Sequence, residues 1–326
     1  LACRFVRTFP IFSILNLVST PTEFNMMKRN LMPVLALMVL FAAGCDSGDV
    51  IEQEVAKVQI RLELENLQPL QDGYTYQAWA KIGFQTLPSE RFNVVENGSF
   101  VNSSGQFIQN AFIFAEDISD ASEVFITIED KRDSDETPSG TIVMAGDVTA
   151  STAILSANHP LALDASFEGQ SGSFMLLNWV SGASVDETSG LWFIDGSRTA
   201  PSAGLSLPSL PDGWTYEGWI ESGGTFVSTG TFRDNSGHDL ERLYSSSDTP
   251  PFPGEDFLEN APEGVTFPLD PSGGTVRVSV EPFPDDTVLP YGIFVLSGAV
   301  PATPTAGTSY PLAADVSAPT GTATLF

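Results

Sequence analysis

Apolar and polar residues alternate from Val58 to Glu65, which reads Val-Gln-Ile-Arg-Leu-Glu-Leu-Glu. A two-residue period puts Val58, Ile60, Leu62 and Leu64 on one face and predicts a half-buried strand. Asp72-Gly73 supplies a turn into Tyr74–Trp79, a run of aromatic and β-branched residues that predicts a second strand. Glu123–Glu129 reads as a buried strand, Thr141–Ala145 as the next, and Ser173–Leu177 as the strand that closes the series. A second series follows: Leu191–Ile194, Trp214–Ile220, Thr275–Glu281, Ile293–Leu296 and Thr322–Phe326. No stretch keeps a helical period over a dozen residues; only Glu255–Asn260 suggests a short helical turn. With 28 Gly and 23 Pro, turns are frequent, as in sandwiches and barrels.

The two series are copies. Asp72-Gly-Tyr-Thr-Tyr-Gln-Ala-Trp79 recurs as Asp212-Gly-Trp-Thr-Tyr-Glu-Gly-Trp219, 140 positions on. Pro138–Gly146 is echoed by Pro290–Gly298 at an offset of 152, and Pro160-Leu-Ala-Leu-Asp164 by Pro311-Leu-Ala-Ala-Asp315 at 151. The jump in offset implies an insertion in the second copy, for which the Ser/Pro/Gly-rich run Ser245–Gly254 is the natural place. Each unit has the length of a domain and is too long for a solenoid repeat. The expected fold class is therefore all-β, with two tandem antiparallel β-sandwich domains at 58–178 and 190–326 joined by a linker at 179–189.

The beginning of the chain reads as an address. Met26-Met-Lys-Arg-Asn30 precedes an almost unbroken apolar run, Leu31–Phe41, then Ala42-Ala-Gly-Cys45. A basic start, a short apolar stretch and small residues form a secretory signal. Cys directly after the small residues makes 26–44 resemble a bacterial lipoprotein signal, with Cys45 as the lipidated residue and 45–57 as a tether. Ala42 stands where that family prefers Leu. Residues 1–25 carry no strand or helix grammar and read as an upstream mis-start. Cys3 lies there, so no disulfide is expected to hold the fold.

The net charge is −27. Such a surface repels nucleic acid and anionic lipid and suits saline solubility. Candidate chemistry is sparse. Tyr76 and Trp79, with their copies Tyr216 and Trp219, are the possible ligand platform. Residues three apart on a strand point to opposite faces, so both members of a pair are core only if a bulge intervenes. Large aromatics are mostly buried, which makes a core Trp with a boundary Tyr the simpler assignment. The acidic turns Asp130–Glu136 and Pro284–Asp286 could attract calcium, but they lack EF-hand spacing, and Lys131 and Arg132 oppose a cation. His159 and His238 fall in non-equivalent places and indicate neither a zinc pair nor a shared catalytic base. No catalytic, metal or cofactor-binding residue is assigned, and no cofactor is expected.

From Leu207-Pro208 through Gly213-Trp-Thr-Tyr216 and Trp219, Gly230-Thr-Phe232 and Val278–Pro282, the second copy resembles the extracytoplasmic domain of anti-sigma-K factors. The first copy keeps Gly73, Tyr76, Trp79 and Glu129 but has Asp130 in place of the Pro. The resemblance implies a β domain outside the cytoplasmic membrane. The helical sigma-binding segment of that family has no counterpart before the apolar run, so no direct sigma-factor contact is expected. The reading is a non-enzymatic, lipid-anchored cell-envelope protein that binds, adheres or scaffolds. Its expected partners are the membrane, through Cys45, and an envelope protein or glycan, with no nucleic acid. A sensory component related to anti-sigma factors, and a carbohydrate-binding or carbohydrate-active module, are the alternatives.

Overall fold

The computed structural model describes residues 59–71, 73–179, 188–241, 243–245, 249–283 and 288–326, all within one compact unit. The signal, Cys45 and the turn at Pro284–Asp286 lie outside the described residues. The first series lays down β1 (Gln59–Glu65), β2 (Tyr74–Ile82), β3 (Gln85–Val94), β4 (Phe100–Val101), β5 (Ala111–Ile113), β6 (Glu123–Asp130), β7 (Ile142–Thr149) and β8 (Thr152–Ser156). The chain continues with β9 (Ser171–Leu176), β10 (Leu191–Trp192), β11 (Ile194–Ser197), β12 (Ala200–Ala203), β13 (Trp214–Ser222), β14 (Thr225–Phe232) and β15 (Gly254–Glu255). It ends with β16 (Thr275–Pro282), β17 (Ile293–Ala299), β18 (Ser309–Ser317) and β19 (Thr320–Leu325). The all-β expectation holds, and none of the described residues is helical.

The strands form two large antiparallel sheets and a small hairpin, β11–β12. Sheet 1 runs β4-β3-β2-β6-β7-β8-β19-β1-β5, and sheet 2 runs β14-β13-β16-β17-β18-β9-β10-β15. Both curl until their edges approach, β3 towards β5 and β14 towards β15, which gives sandwich-like, partly closed barrels. Apart from β4, the two orders match position by position: β2 with β13, β6 with β16, β7 with β17.

One exchange breaks the chain order. The strand expected to close the first copy, β9, lies in sheet 2 between β18 and β10. The strand expected to close the second, β19, lies in sheet 1 between β8 and β1. Sheet 1 is therefore 59–156 plus 320–325, and the sheets do not follow the 58–178 and 190–326 division. Local pattern names a strand but not its neighbours, and β9 and β19 present equivalent edges. Gln59 and Phe326 exchange both backbone hydrogen bonds, each 2.9 Å, so β1 and β19 pair out to their ends.

The third sequence echo also diverges. Pro311–Asp315 lies within β18, whereas Pro160–Asp164 is a turn in which Asp164 takes a positive φ of 47°. That turn lays Leu161 over the outer face of sheet 1. The helical turn expected at Glu255–Asn260 is absent. Glu255 ends β15, and Phe257 and Asn260 adopt φ of 51° and 56°, outside the right-handed helical region. The extra length of the second copy does fall between β14 and β16, the interval that holds Ser245–Gly254.

The core is continuous across both sheets. Ile60 and Leu62 of β1, Val124 and Ile126 of β6, Val278 and Val280 of β16, and Leu296 of β17 are fully buried in it. The junction is partly polar: the hydroxyls of Tyr76 and Tyr291 lie 2.7 Å apart, and the Thr141 hydroxyl donates to the Gly213 carbonyl at 3.1 Å. Gly213, at φ +86°, lies against the Gly140 backbone, where a Cβ would come within 2.7 Å. Only glycine fits that turn.

Candidate functional site

β2 and β13 carry the sequence candidates, and both of their faces are covered. On the inner face Tyr76 and Tyr216 are 0% and 1% exposed; on the outer face Trp79 and Trp219 are each 1% exposed. The aromatic platform is therefore corrected: none of the four rings offers a face to a ligand. β2 and β13 keep regular register with β6 and β16, so each Tyr and Trp do point to opposite faces. The bulge lies in the other neighbour, where Ser89-Glu90 of β3 and Thr229-Gly230 of β14 oppose a single residue, Ala78 or Gly218.

The outer-face covers differ. Trp79 stacks on Phe125 with ring centroids 6.3 Å apart, under Ile142 and Leu161. Trp219 meets Phe226 edge-on, and Phe226 stacks on Phe294 at 6.2 Å. The Arg277 guanidinium lies over the Phe294 ring, 5.0 Å from its centroid, and also binds Glu221 at 3.0 Å and Asp315 at 3.1 Å.

Each Tyr hydroxyl reaches back eight residues, Tyr76 to the Gln68 carbonyl and Tyr216 to the Pro208 carbonyl, both at 2.7 Å. Thr75 and Thr215 donate across to the Phe92 and Phe232 carbonyls at 2.7 and 2.9 Å. Burial pushes the pKa of Tyr76, Tyr216 and Tyr291 up from the ordinary phenol value, so the phenols stay neutral at physiological pH.

A polar chain that sequence reasoning missed runs beneath each Trp. The Trp79 indole N–H donates to the Thr127 hydroxyl at 2.8 Å, Thr127 donates to the Glu129 carboxylate, and the Ser139 backbone N–H closes on that carboxylate at 3.0 Å. In the second copy Trp219 donates to Ser279 at 2.8 Å, Ser279 donates to Glu281, and the Tyr291 N–H closes on it at 2.8 Å. The signal was present: Thr127-Ile-Glu129 and Ser279-Val-Glu281 stand at the offset of 152, with polar residues on a face that two large aromatics also occupy. Glu129 and Glu281 are 1% and 0% exposed. A hydroxyl beside a carboxylate has the composition of an activated nucleophile. Here it is sealed: the hydroxyl accepts from the Trp indole and donates to the carboxylate, which accepts from the backbone N–H of the strand-to-strand turn.

The second copy adds a cluster around its insertion. Glu255 accepts from the Leu243 N–H at 2.7 Å and from the Ser245 hydroxyl. Asp256 accepts from the Trp179 N–H at 2.6 Å and the Trp192 indole at 3.0 Å. Asp239 accepts from the Gly254 N–H, and Arg198 caps the Trp179 carbonyl at 2.7 Å. Burial pushes the Glu255 carboxyl above its ordinary range, against the lowering effect of the Ser245 and Leu243 hydrogen bonds. These carboxylates anchor the ends of connecting segments by capping backbone donors.

The remaining candidates stay apart. Asp130 pairs with Arg132 at 2.7 Å, which holds its carboxyl down at about 2 and occupies the turn with a cation. His159 accepts from the Leu161 N–H at 3.2 Å and lies 3.6 Å from Asp147, while His238 belongs to the other sheet's connection. Among the described residues no group of three His, Cys, Asp or Glu is arranged to hold a metal ion. A recessed surface lies between the β1–β2 connection and the β3–β4 turn, lined by Glu65, Asn66, Gln68, Glu96 and Asn97. Compared with protein-family models, curated proteins and solved structures, the chain matches none.

Proposed function

We propose that this protein is a lipid-anchored, non-enzymatic component of the bacterial cell envelope that scaffolds or adheres through its duplicated β unit. The observation that carries the reading is where the tether enters the fold. Residues 45–57 lead into β1, an interior strand laddered to β19 on one side and β5 on the other. Tension on a tether there would load antiparallel ladders along their length, so that several hydrogen bonds must yield together. Interior Trp–hydroxyl–carboxylate chains in both sheets tie paired strands together side chain to side chain, which adds rigidity of the kind a holdfast needs. The acidic surface suits a saline exterior. The partner class is an envelope protein or glycan.

Intact mass of the protein from native membranes tests the anchor. A mass beginning at Cys45 with added acyl groups supports the proposal. A mass that retains residues before Cys45 and carries no lipid overturns it.

A further inference from the structure

We propose that β19 is an exchangeable arm: the slot between β8 and β1 in sheet 1 accepts β19 of a second copy of this chain and so links the copies. The argument begins with the difference between the two sheets. In sheet 2 the equivalent slot is filled by β9, which pairs directly with β10, the next strand along its own chain. In sheet 1 the slot is filled from far along the sequence, by a strand that follows β18 of sheet 2 after only Ala318-Pro319.

The approach to β19 is held at a few points: Asp315 binds Arg277, the Ser317 hydroxyl donates to the Gly292 carbonyl, and Pro319 is buried. Residues 313–317 of β18 are all exposed. β9 pairs with β18 only as far as Ala313, so beyond that point β17 is its one strand partner. Pro319 donates no backbone hydrogen bond and biases Ala318 to an extended conformation. Residues 314–319, once peeled from β17, span about 20 Å. That length lets β19 leave its own sheet 1 and reach a neighbour's without disturbing β9–β17.

β19 itself is suited to transfer. Its interior side chains are small in number, Ala323 and Leu325, and the rest of its hold is backbone ladder to β8 and β1. A second copy offers the same ladder and the same two pockets, so exchange conserves every contact that β19 makes; what is given up lies in the hinge, where 314–317 leave β17 and the Asp315–Arg277 and Ser317–Gly292 contacts open. The vacated slot would expose two unpaired strand edges, which favours refilling by an identical strand.

Cysteine trapping in the full chain tests this, in a background with Cys3→Ser and Cys45→Ser. Leu62 and Ala323 are directly opposed. Because Gln59 and Phe326 form a hydrogen-bonded pair, the alternation makes Leu62 and Ala323 a closely spaced pair compatible with a disulfide. The outward-facing pair Glu63 and Thr322 is a milder second choice. Chains carrying only Leu62→Cys are mixed with chains carrying only Ala323→Cys, without denaturant, under mild oxidation. The proposal expects a covalent heterodimer that accumulates with time and concentration, several-fold above a mixture of Leu62→Cys with Ser104→Cys, a position in an exposed turn. The same is expected for Glu63→Cys with Thr322→Cys. Internal closure of the double variants, with no excess heterodimer from either mixed pair, overturns it.

Discussion

At the scale of single residues, the two Trp–hydroxyl–carboxylate chains set the sharpest expectations. Trp79→Phe removes the indole donor, leaves the Thr127 hydroxyl without it and opens space under Leu161, so a loss of about 2 kcal/mol or more is expected. Urea unfolding measures it. With Thr127→Val in place there is no orphaned hydroxyl, and Trp79→Phe should then cost measurably less; equal costs would show that the chain is not coupled. Glu255 makes a different prediction. Its carboxyl is raised above the ordinary 4.5 by burial, so the folded state takes up the proton first as pH falls. Its contribution is fully present below about pH 4.5 and is lost as pH rises through the raised value. Glu255→Gln should therefore narrow the gap between unfolding midpoints at pH 5 and pH 7, and an unchanged gap would contradict the burial argument. Asp130 has the opposite sign: its pairing with Arg132 helps above the ordinary 3.8 and is lost as pH falls towards 2.

At the scale of elements, the bulge opposite β2 and β13 separates the copies. Ala78 is accommodated in sheet 1, whereas a Cβ on Gly218 would meet the Thr229 hydroxyl at 2.2 Å and the Phe193 ring at 2.3 Å. Gly218→Ala should cost about 1–3 kcal/mol by overpacking, and Ala78→Gly less, both read from denaturation midpoints. The elements that were legible in the sequence are those with a strong apolar signal: β1, β2, β6, β13 and β16 appear within two or three residues of where the pattern puts them. β3, with Pro88 and alternating polar residues, and β18, whose one buried side chain is Leu312, gave too weak a pattern to read as strands. The Tyr and Trp pairs were visible as repeats, but their burial was not. The cover over Trp79 comes from a turn at Leu161, and the cover over Trp219 from Phe226 on a strand that was read only as a Gly-Thr-Phe motif. Nothing in the spacing along β2 or β13 encodes either.

At the scale of the whole molecule, the order of strands matters more than their identity. Sheet 2 begins with its closing strand, β9, and sheet 1 would do the same if β19 preceded β1. Gln59 and Phe326 already share two hydrogen bonds, so a short turn between them turns β19 and β1 into a hairpin equivalent to β9 and β10. A permuted chain that ends at Ser317 and begins with residues 318–326, a two-residue Asn-Gly turn and then Gln59 keeps every strand neighbour. It should fold with an unfolding midpoint close to the parent's, whereas a chain simply truncated at Ser317 should lose cooperative unfolding of sheet 1, because β8 and β1 would face an empty strand position. Hydrogen exchange of β1 and β8 amides distinguishes the cases: protection equal to the parent's in the permutant and lost in the truncation. Equal protection in both would mean that β8 and β1 close on each other, and that β19 is not needed to complete the sheet. The permutant should also form none of the mixed-cysteine heterodimer, since its β19 is tied to the strand it covers and no longer reaches a neighbour through residues 314–319.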